Sequence, residues 1–410
     1  MSKQTQNATA IVVGAGPVGL TAALTLQTKG IDTKLIEADP LDRPRPGSRA
    51  IYLHNATLKL LESTYEDLGF TIAKNGIVWP VKKTLFKGKE VYKRDYGVTD
   101  PANPEKLPPF TALHQDHIEH FIYNACEEVG VEFVQETPIE RCETSPQGVK
   151  LTSSSGDTWE ADYVIGADGA RSNVRKTIGV EFEGPRTNDR FLVLDVKEDE
   201  SAPLPLERIF HYQHPAMGGR NVMHVPFKGG WRVDLQLLPD DEVESFSEPE
   251  KVKEWLPHVM PEKYIDKVTW VSTYRFHQVV ANSFTDNNRR VLLAGEAAHL
   301  FAPFGARGLN SGVPDAVIAA DRIHQATLAS TEEARIEQID KAAHERRTAA
   351  LWNRDSSTTA LHHLQSDSKE MNVKREIAAS LTDVAPKLGR WLDEGPYGPR
   401  FGSPEVSTKY

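Results

Sequence analysis

Apolar and polar positions change period along the chain in a way that marks its elements. Residues 10–13 are a short apolar run of β type, followed by Gly14-Ala15-Gly16-Pro17-Val18-Gly19 and then a helical pattern over 20–29. Gly30 stops that helix, and residues 33–37 form a second strand ending on Glu37, so the chain opens with a strand–helix–strand unit. The stretch 41–48, with two prolines and a glycine, predicts irregular chain leading into a helix over 56–62. Residues 78–109 read as strand and then Pro-rich, a β excursion from the first unit. Helical periodicity returns over 117–129, where Ile118, Phe121, Ile122, Ala125 and Val129 share a face, and Gly130 ends it.

Residues 131–134, 149–152 and 163–166 are short strands, the last running into the turn Asp168-Gly169. From 190 to 276 the pattern becomes short alternating strands (191–196, 222–226, 231–237, 269–276) around one helical piece at 249–259, which predicts a separate, mostly antiparallel sheet. A buried strand at 290–295 and a helix at 312–325 follow. Ser330-Thr331-Glu332-Glu333 is a capping box opening a long charged helix to about Asn353. The remainder reads as helical and then Pro/Gly-rich at 395–399.

A chain of 410 residues exceeds one core and predicts two to three domains at roughly 150 residues each, with an interface in which to place a site. Its 39% hydrophobic and 26% charged residues are the balance of a globular enzyme. The net charge of −10, without Lys/Arg runs, argues against nucleic acid or an anionic membrane surface as the main partner. Cys126 and Cys142 are too few for a disulfide scaffold or a four-cysteine metal site, and no metal is expected. The polar start lacks a signal-peptide layout and no apolar run approaches the ~20 residues of a membrane span, so a cytoplasmic location is expected.

A G-x-G-x-x-G loop between strand and helix lets backbone N–H groups approach a pyrophosphate at the positive end of the helix. Gly14, Gly16 and Gly19 are so placed, and Glu37, 21 residues after Gly16 (37 − 16), can accept hydrogen bonds from ribose hydroxyls. The loop alone leaves FAD and NAD both open.

Two later segments resemble a family. The run Tyr163-Val164-Ile165-Gly166-Ala167-Asp168-Gly169-Ala170-Arg171-Ser172-Asn173-Val174-Arg175 resembles the second fingerprint of class A (single-component) flavoprotein aromatic hydroxylases of the para-hydroxybenzoate hydroxylase type. Gly295-Glu296-Ala297-Ala298-His299, continuing through Pro303, Gly305, Gly308, Asn310 and Asp315, resembles their third. Arg49 and Gln115 match two further flavin-contacting positions, and the resemblance covers about residues 10–353. It implies FAD bound through Gly14, Gly16, Gly19, Glu37, Arg49, Gln115, Asp168, Gly295, Glu296, Pro303, Gly308, Leu309 and Asn310. The physics agrees: a carboxylate at the end of the 290–295 strand can bind ribityl hydroxyls, and the glycines of 303–312 can bring N–H groups to the pyrimidine side of a flavin. The family has Asp where this chain has Glu296, which moves the carboxylate by about one C–C bond.

The resemblance implies an α/β fold: an interleaved Rossmann-type FAD-binding domain (1–76, 106–186 and 285–329), a β-rich substrate domain (77–105 and 187–284) and a C-terminal helical segment (330–410). It also implies a monooxygenase that takes electrons from NADH or NADPH, forms a flavin C4a-hydroperoxide with O2, and hydroxylates a small phenol, aminophenol or hydroxylated heteroaromatic. The protein then positions substrate, excludes water and helps to deprotonate a phenol. Candidates for that proton are His224, Tyr212, Tyr274 and His54, with Tyr52 beside the last; Arg220, Phe276 and Arg307 are candidates for substrate contact. Strand alternation puts Tyr274 and Phe276 on one face, Arg275 and His277 on the other. His299 reads as a structural hydrogen-bonding group. A homodimer is compatible with the family. Other readings are a NAD-dependent dehydrogenase, which leaves the later fingerprints unused, a flavoprotein oxidoreductase, epoxidase or N-hydroxylase on a non-aromatic substrate, and a non-enzymatic flavin-binding redox protein.

Overall fold

The computed structural model describes residues 6–40, 47–97, 99–365 and 368–394. The prolines of the 41–48 stretch, the first five residues and the Pro/Gly-rich 395–399 lie outside the described residues.

A first sheet is built from distant pieces of chain. Gln6–Val13 pairs in parallel with Thr33–Ile36 on one side and Thr158–Gly166 on the other; Glu132–Val134 extends the sheet beyond Thr33–Ile36, and Val291–Leu293 joins parallel to Thr158–Gly166. All four residues of Thr33–Ile36 are buried, because helices cover both faces of a parallel sheet. The register sets Val13 beside Gly166 and Gly166 beside Leu293, so the loops after these three strands leave the sheet at one edge. That edge, at the carboxyl ends of parallel strands, is where such sheets bind ligands.

The Pro17–Thr28 helix follows the first strand with Pro at its start, where the missing N–H costs nothing. It packs closely on the Arg307–Thr327 helix: a Cβ on Gly312 would lie 2.5 Å from Val18 Cγ2, so only glycine permits the approach.

The second sheet runs, in spatial order, Val268–His277, Arg186–Lys197, Gly230–Leu237, Val222–Phe227, Glu207–Tyr212, Val81–Phe86 and Lys89–Asp95. Neighbours are antiparallel except Glu207–Tyr212 with Val81–Phe86. The excursion after residue 78 is therefore a hairpin that completes this sheet. One face packs Leu192, Val222, Val233 and Leu235 against Trp255 and Leu256. Directly paired residues share a face. The pairs Phe210–Met223, Met223–Asp234, Arg232–Asp195 and Phe191–Tyr274 thus define the opposite one, against which Phe304 packs.

Some boundaries differ from the sequence reading. The Arg307–Thr327 helix starts ahead of Gly312, because tertiary packing on Val18 outweighs the helix penalty of two glycines. The long helix runs Glu332–Gln365, past Asn353, and its cap is Thr331 Oγ1, which accepts from the Ala334 N–H at 3.2 Å, in place of Ser330. The Leu68–Asn75 helix and the Glu207–Tyr212 strand are additional elements.

Candidate functional site

The three glycines of the first loop have different local reasons. A Cβ on Gly14 (φ +103°) would lie 2.5 Å from the Ala167 carbonyl oxygen, and one on Gly19 would lie 1.8 Å from that of Gly14. A Cβ on Gly16 would meet no atom within 4 Å. Two glycines are thus needed by the fold, whereas Gly16 faces open space above the helix start. Buried Glu37 braces the loop, its Oε2 accepting the Ala15 N–H at 2.5 Å and its Oε1 that of Asp39 at 3.1 Å.

Asp168 caps its own turn. Its carboxylate accepts from Ser172 Oγ (2.5 Å) and from the N–H groups of Asn173 (2.8 Å) and Val174 (3.1 Å). Burial nevertheless pushes its carboxyl above the ordinary aspartate value. Its direct partners are in the 168–174 turn, so it orients the backbone that abuts Gly14.

At the third loop, Gly295 (φ +60°) donates its N–H to Asp315 Oδ2 at 3.1 Å. His299 Nε2 contacts the same oxygen at 2.6 Å, and Arg346 Nε donates to Oδ1 at 2.7 Å. Burial works against the Asp315 anion, but Arg346 and His299 outweigh it and hold the carboxyl below its ordinary value. Glu296 instead projects into a recess. Its side chain is solvent-accessible yet surrounded by protein, and desolvation raises its carboxyl, with His299 and Arg49 opposing. Tyr274 shares this recess: it is 45% exposed, and desolvation, then Glu296, pushes its hydroxyl up to about 12.

The 303–308 loop spans the gap to the second sheet. Phe304 packs edge-on to Phe191 (5.9 Å) and Phe276 (5.7 Å), while the Pro303 carbonyl accepts the Ala306 N–H at 2.9 Å. A Cβ on Gly308 would meet nothing within 4 Å, and Leu309 behind it is buried. The Gly305 carbonyl lies 3.2 Å from His54 Nε2. A carbonyl only accepts, so Nε2 carries the proton and Nδ1 keeps the lone pair. Burial keeps this ring neutral, moving its pKa down to about 4. Gln115 acts through the neighbouring turn: its Oε1 accepts the Ala50 N–H at 3.0 Å, placing Arg49, whose carbonyl in turn accepts from Arg232 at 2.6 Å.

The remaining predicted residues lie elsewhere. His224 pairs with Ile209 and Val233, so the pleat turns it to the sheet face opposite the recess. Tyr212 is on the near face but sealed by the C-terminal helices, its hydroxyl donating to the Leu392 carbonyl at 2.7 Å. Arg220 is held by Asp241 through Nε (2.9 Å) and Nη2 (2.5 Å). Arg307 is fully buried, donating to Asn353 Oδ1 at 2.8 Å with Trp352 beside its guanidinium. The structure does not bring these four together at the recess: sheet parity sets the first on the other face, and the others are bonded to Leu392, Asp241 and Asn353. Residues that the sequence reading passed over are Asp195, Arg208, Arg232 and Asp234 on the near face. Each is a charge inside a strand, a signal that was available.

The family described as "FAD binding domain" matches residues 7–355. Para-nitrophenol 4-monooxygenase of Pseudomonas sp. (strain WBC-3) is 32% identical over 322 residues, 76% of this chain and 77% of that one. The chain belongs to the class A FAD-dependent aromatic hydroxylases. This flavoprotein is also similar to 3-(3-hydroxy-phenyl)propionate/3-hydroxycinnamic acid hydroxylase of Klebsiella pneumoniae (strain 342), at 25% identity over 95% of its own length and 68% of the relative's. The crystal structure of p-nitrophenol 4-monooxygenase from Pseudomonas putida superposes with a TM-score of 0.77 at 25% identity, covering 95% of this chain and 97% of that one. The flavoprotein is a monooxygenase with FAD as its cofactor. Among the described residues, no helix is long and apolar enough to cross a membrane.

Proposed function

We propose that this flavoprotein hydroxylates a small phenol, aminophenol or hydroxylated heteroaromatic, with FAD held by Gly14, Gly16, Gly19, Glu37, Arg49 and Glu296. The observation that carries the reading is the open space at both Gly16 and Gly308. Each lies at the start of a long helix, where free backbone N–H groups suit a pyrophosphate at one end and flavin carbonyl oxygens at the other. Bound FAD supplies oxygen activation, with electrons from NADH or NADPH.

The chain's own residues position and shield the ring. His54 offers Nδ1 as an acceptor for the substrate hydroxyl; its depressed pKa makes it a hydrogen-bond acceptor more than a proton store. Tyr274, protonated at neutral pH, donates into the same recess, while Phe276 and Phe304 exclude water. The names of the relatives, two nitrophenol monooxygenases and a hydroxyphenylpropionate hydroxylase, support a phenolic substrate.

The test is a panel of phenols, anilines and hydroxypyridines scored for hydroxylated product, with anaerobic flavin bleaching by NADH and NADPH measured in parallel to select the donor. Product from an alkene or aliphatic amine, with none from any activated ring, would replace the aromatic reading.

A further inference from the structure

The backbone of Ser48, Arg49 and Ala50 is gripped from two sides. From the Gln115–Glu128 helix, Gln115 donates its N–H to the Ser48 carbonyl at 3.3 Å and accepts the Ala50 N–H through Oε1 at 3.0 Å. From the second sheet, Asp195 Oδ2 accepts the Ser48 N–H at 2.5 Å and Arg232 Nη1 donates to the Arg49 carbonyl at 2.6 Å. Just ahead of these residues, a Cβ on Gly47 (φ +86°) would lie 2.5 Å from Trp270 Cδ2, so the indole ring lies against the backbone there.

The three sheet residues form a row. Asp195 is paired directly with Arg232 on one side and with Trp270 on the other, so all three project from one face and move as a unit with the sheet. Tyr274 stands on that face too, four residues along the Trp270 strand. Asp195 is buried with His114 Nε2 at 3.9 Å from Oδ2, and Arg232 is also bonded to Asp234 Oδ1 at 2.6 Å. What the row holds is a conformation that arginine rarely adopts, since Arg49 has φ +47°. An L residue stays in that region only where its surroundings over-determine it. The Arg49 side chain is exposed and acts electrostatically on both Glu296 and Tyr274, so it is presented to the recess.

We propose that Asp195, Arg232 and Trp270 are positioning residues for the cofactor: they clamp the 47–50 segment in the left-handed turn that aims Arg49 at FAD. Cofactor retention then depends on a sheet that contributes none of the residues assigned to FAD. The proposal rests on Arg49 as an FAD contact in the reading above and adds what sets it. Ser48 is fully buried, so its N–H has no water to turn to when the Asp195 carboxylate is removed. The segment must rearrange, and Arg49 relaxes towards negative φ.

The experiment compares the parent with Asp195→Ala, Asp195→Asn, Trp270→Ala and Arg49→Ala. It measures the FAD dissociation constant and release rate, the melting temperature of the apoprotein, and amide exchange over residues 47–50. Asp195→Ala should weaken FAD binding about 10- to 100-fold, the range of a lost hydrogen bond to a charged group, and speed exchange at Ser48 and Ala50. Asp195→Asn, which keeps an acceptor, should recover most of the affinity. Trp270→Ala leaves the hydrogen bonds in place and should weaken FAD severalfold; it keeps the test open if Asp195→Ala does not fold. Parental FAD affinity in both Asp195→Ala and Trp270→Ala, whatever their melting temperatures or exchange, overturns the proposal, because the contacts then serve the fold alone. Loss of FAD in Arg49→Ala beside that result leaves Arg49 standing as a cofactor contact. Parental affinity in Arg49→Ala overturns that contact and the proposal with it.

Discussion

Asn310 fixes the position of His54 across 256 residues of sequence: its Oδ1 accepts the His54 N–H at 2.9 Å. The same oxygen accepts from Thr57 Oγ1 at 2.6 Å, while Nδ2 donates to the carbonyls of Tyr52 (2.7 Å) and Ala306 (2.8 Å). One buried amide therefore joins the strand carrying Tyr52 and His54 to the 303–308 loop. Asn310→Ala should cost about 1–3 kcal/mol through the backbone groups left unsatisfied. Thermal melts read that loss. If Asn310 positions His54, product formed per NAD(P)H consumed should also fall several-fold with FAD still bound; unchanged coupling would reduce its role to stability.

Gly16→Val should separate folding from cofactor binding. The added side chain meets no protein atom within 4 Å of its Cβ, so the apoprotein should melt close to the parent, yet it enters the space above the helix start. Purified Gly16→Val is expected to be colourless. A yellow variant with a full complement of flavin would show that the pyrophosphate lies elsewhere.

Asp315 is 1% exposed and is shared by Arg346, His299 and the Gly295 N–H. Removing its charge as Asp315→Asn leaves the Arg346 cation without its buried counter-charge, which costs about 3–5 kcal/mol. The variant should express poorly or melt well below the parent, and a melt within two or three degrees of the parent would contradict the geometry.

Stability should fall on mild acidification. Burial lowers the pKa of His54, His211 and His224 to about 4 each. Between about 4 and 6.5 the unfolded chain binds more protons at these rings than the folded one, so their contribution is full above about pH 6.5 and is lost as pH falls towards 4. His224→Gln, on the sheet face away from the recess, should melt less steeply with pH between 7 and 5 than the parent. Equal slopes would show that His224 is not a source of the acid sensitivity.

What was legible in the sequence was local. The Gly14 to Gly19 loop and Glu37 sit within one strand–helix–strand unit, so spacing alone placed them together. Parity in the second sheet was not legible: Val222–Phe227 reads VMHVPF, apolar at odd and even positions, so nothing in it says which way His224 points. The Glu207–Tyr212 strand is half-buried over its first three residues and buried over its last three, without alternation, and finds its parallel partner at residues 81–86, a pairing no local pattern encodes. Arg208 could have been suspected from a lone cation in that strand, but its place beside Met223 and Lys82 is a tertiary fact.

The discontinuous first sheet also sets an order of events at the ribosome. Val164 pairs with Val291, and Glu296 emerges 259 residues after Glu37 (296 − 37). At about 5–20 residues per second, roughly 13 to 52 s pass between Glu37 and Glu296, the two ends of the proposed FAD site. Through that interval the nascent chain carries the Gly14 to Gly19 loop without the Val291–Leu293 strand that later joins its sheet, and that strand arrives only once the second sheet has already been translated.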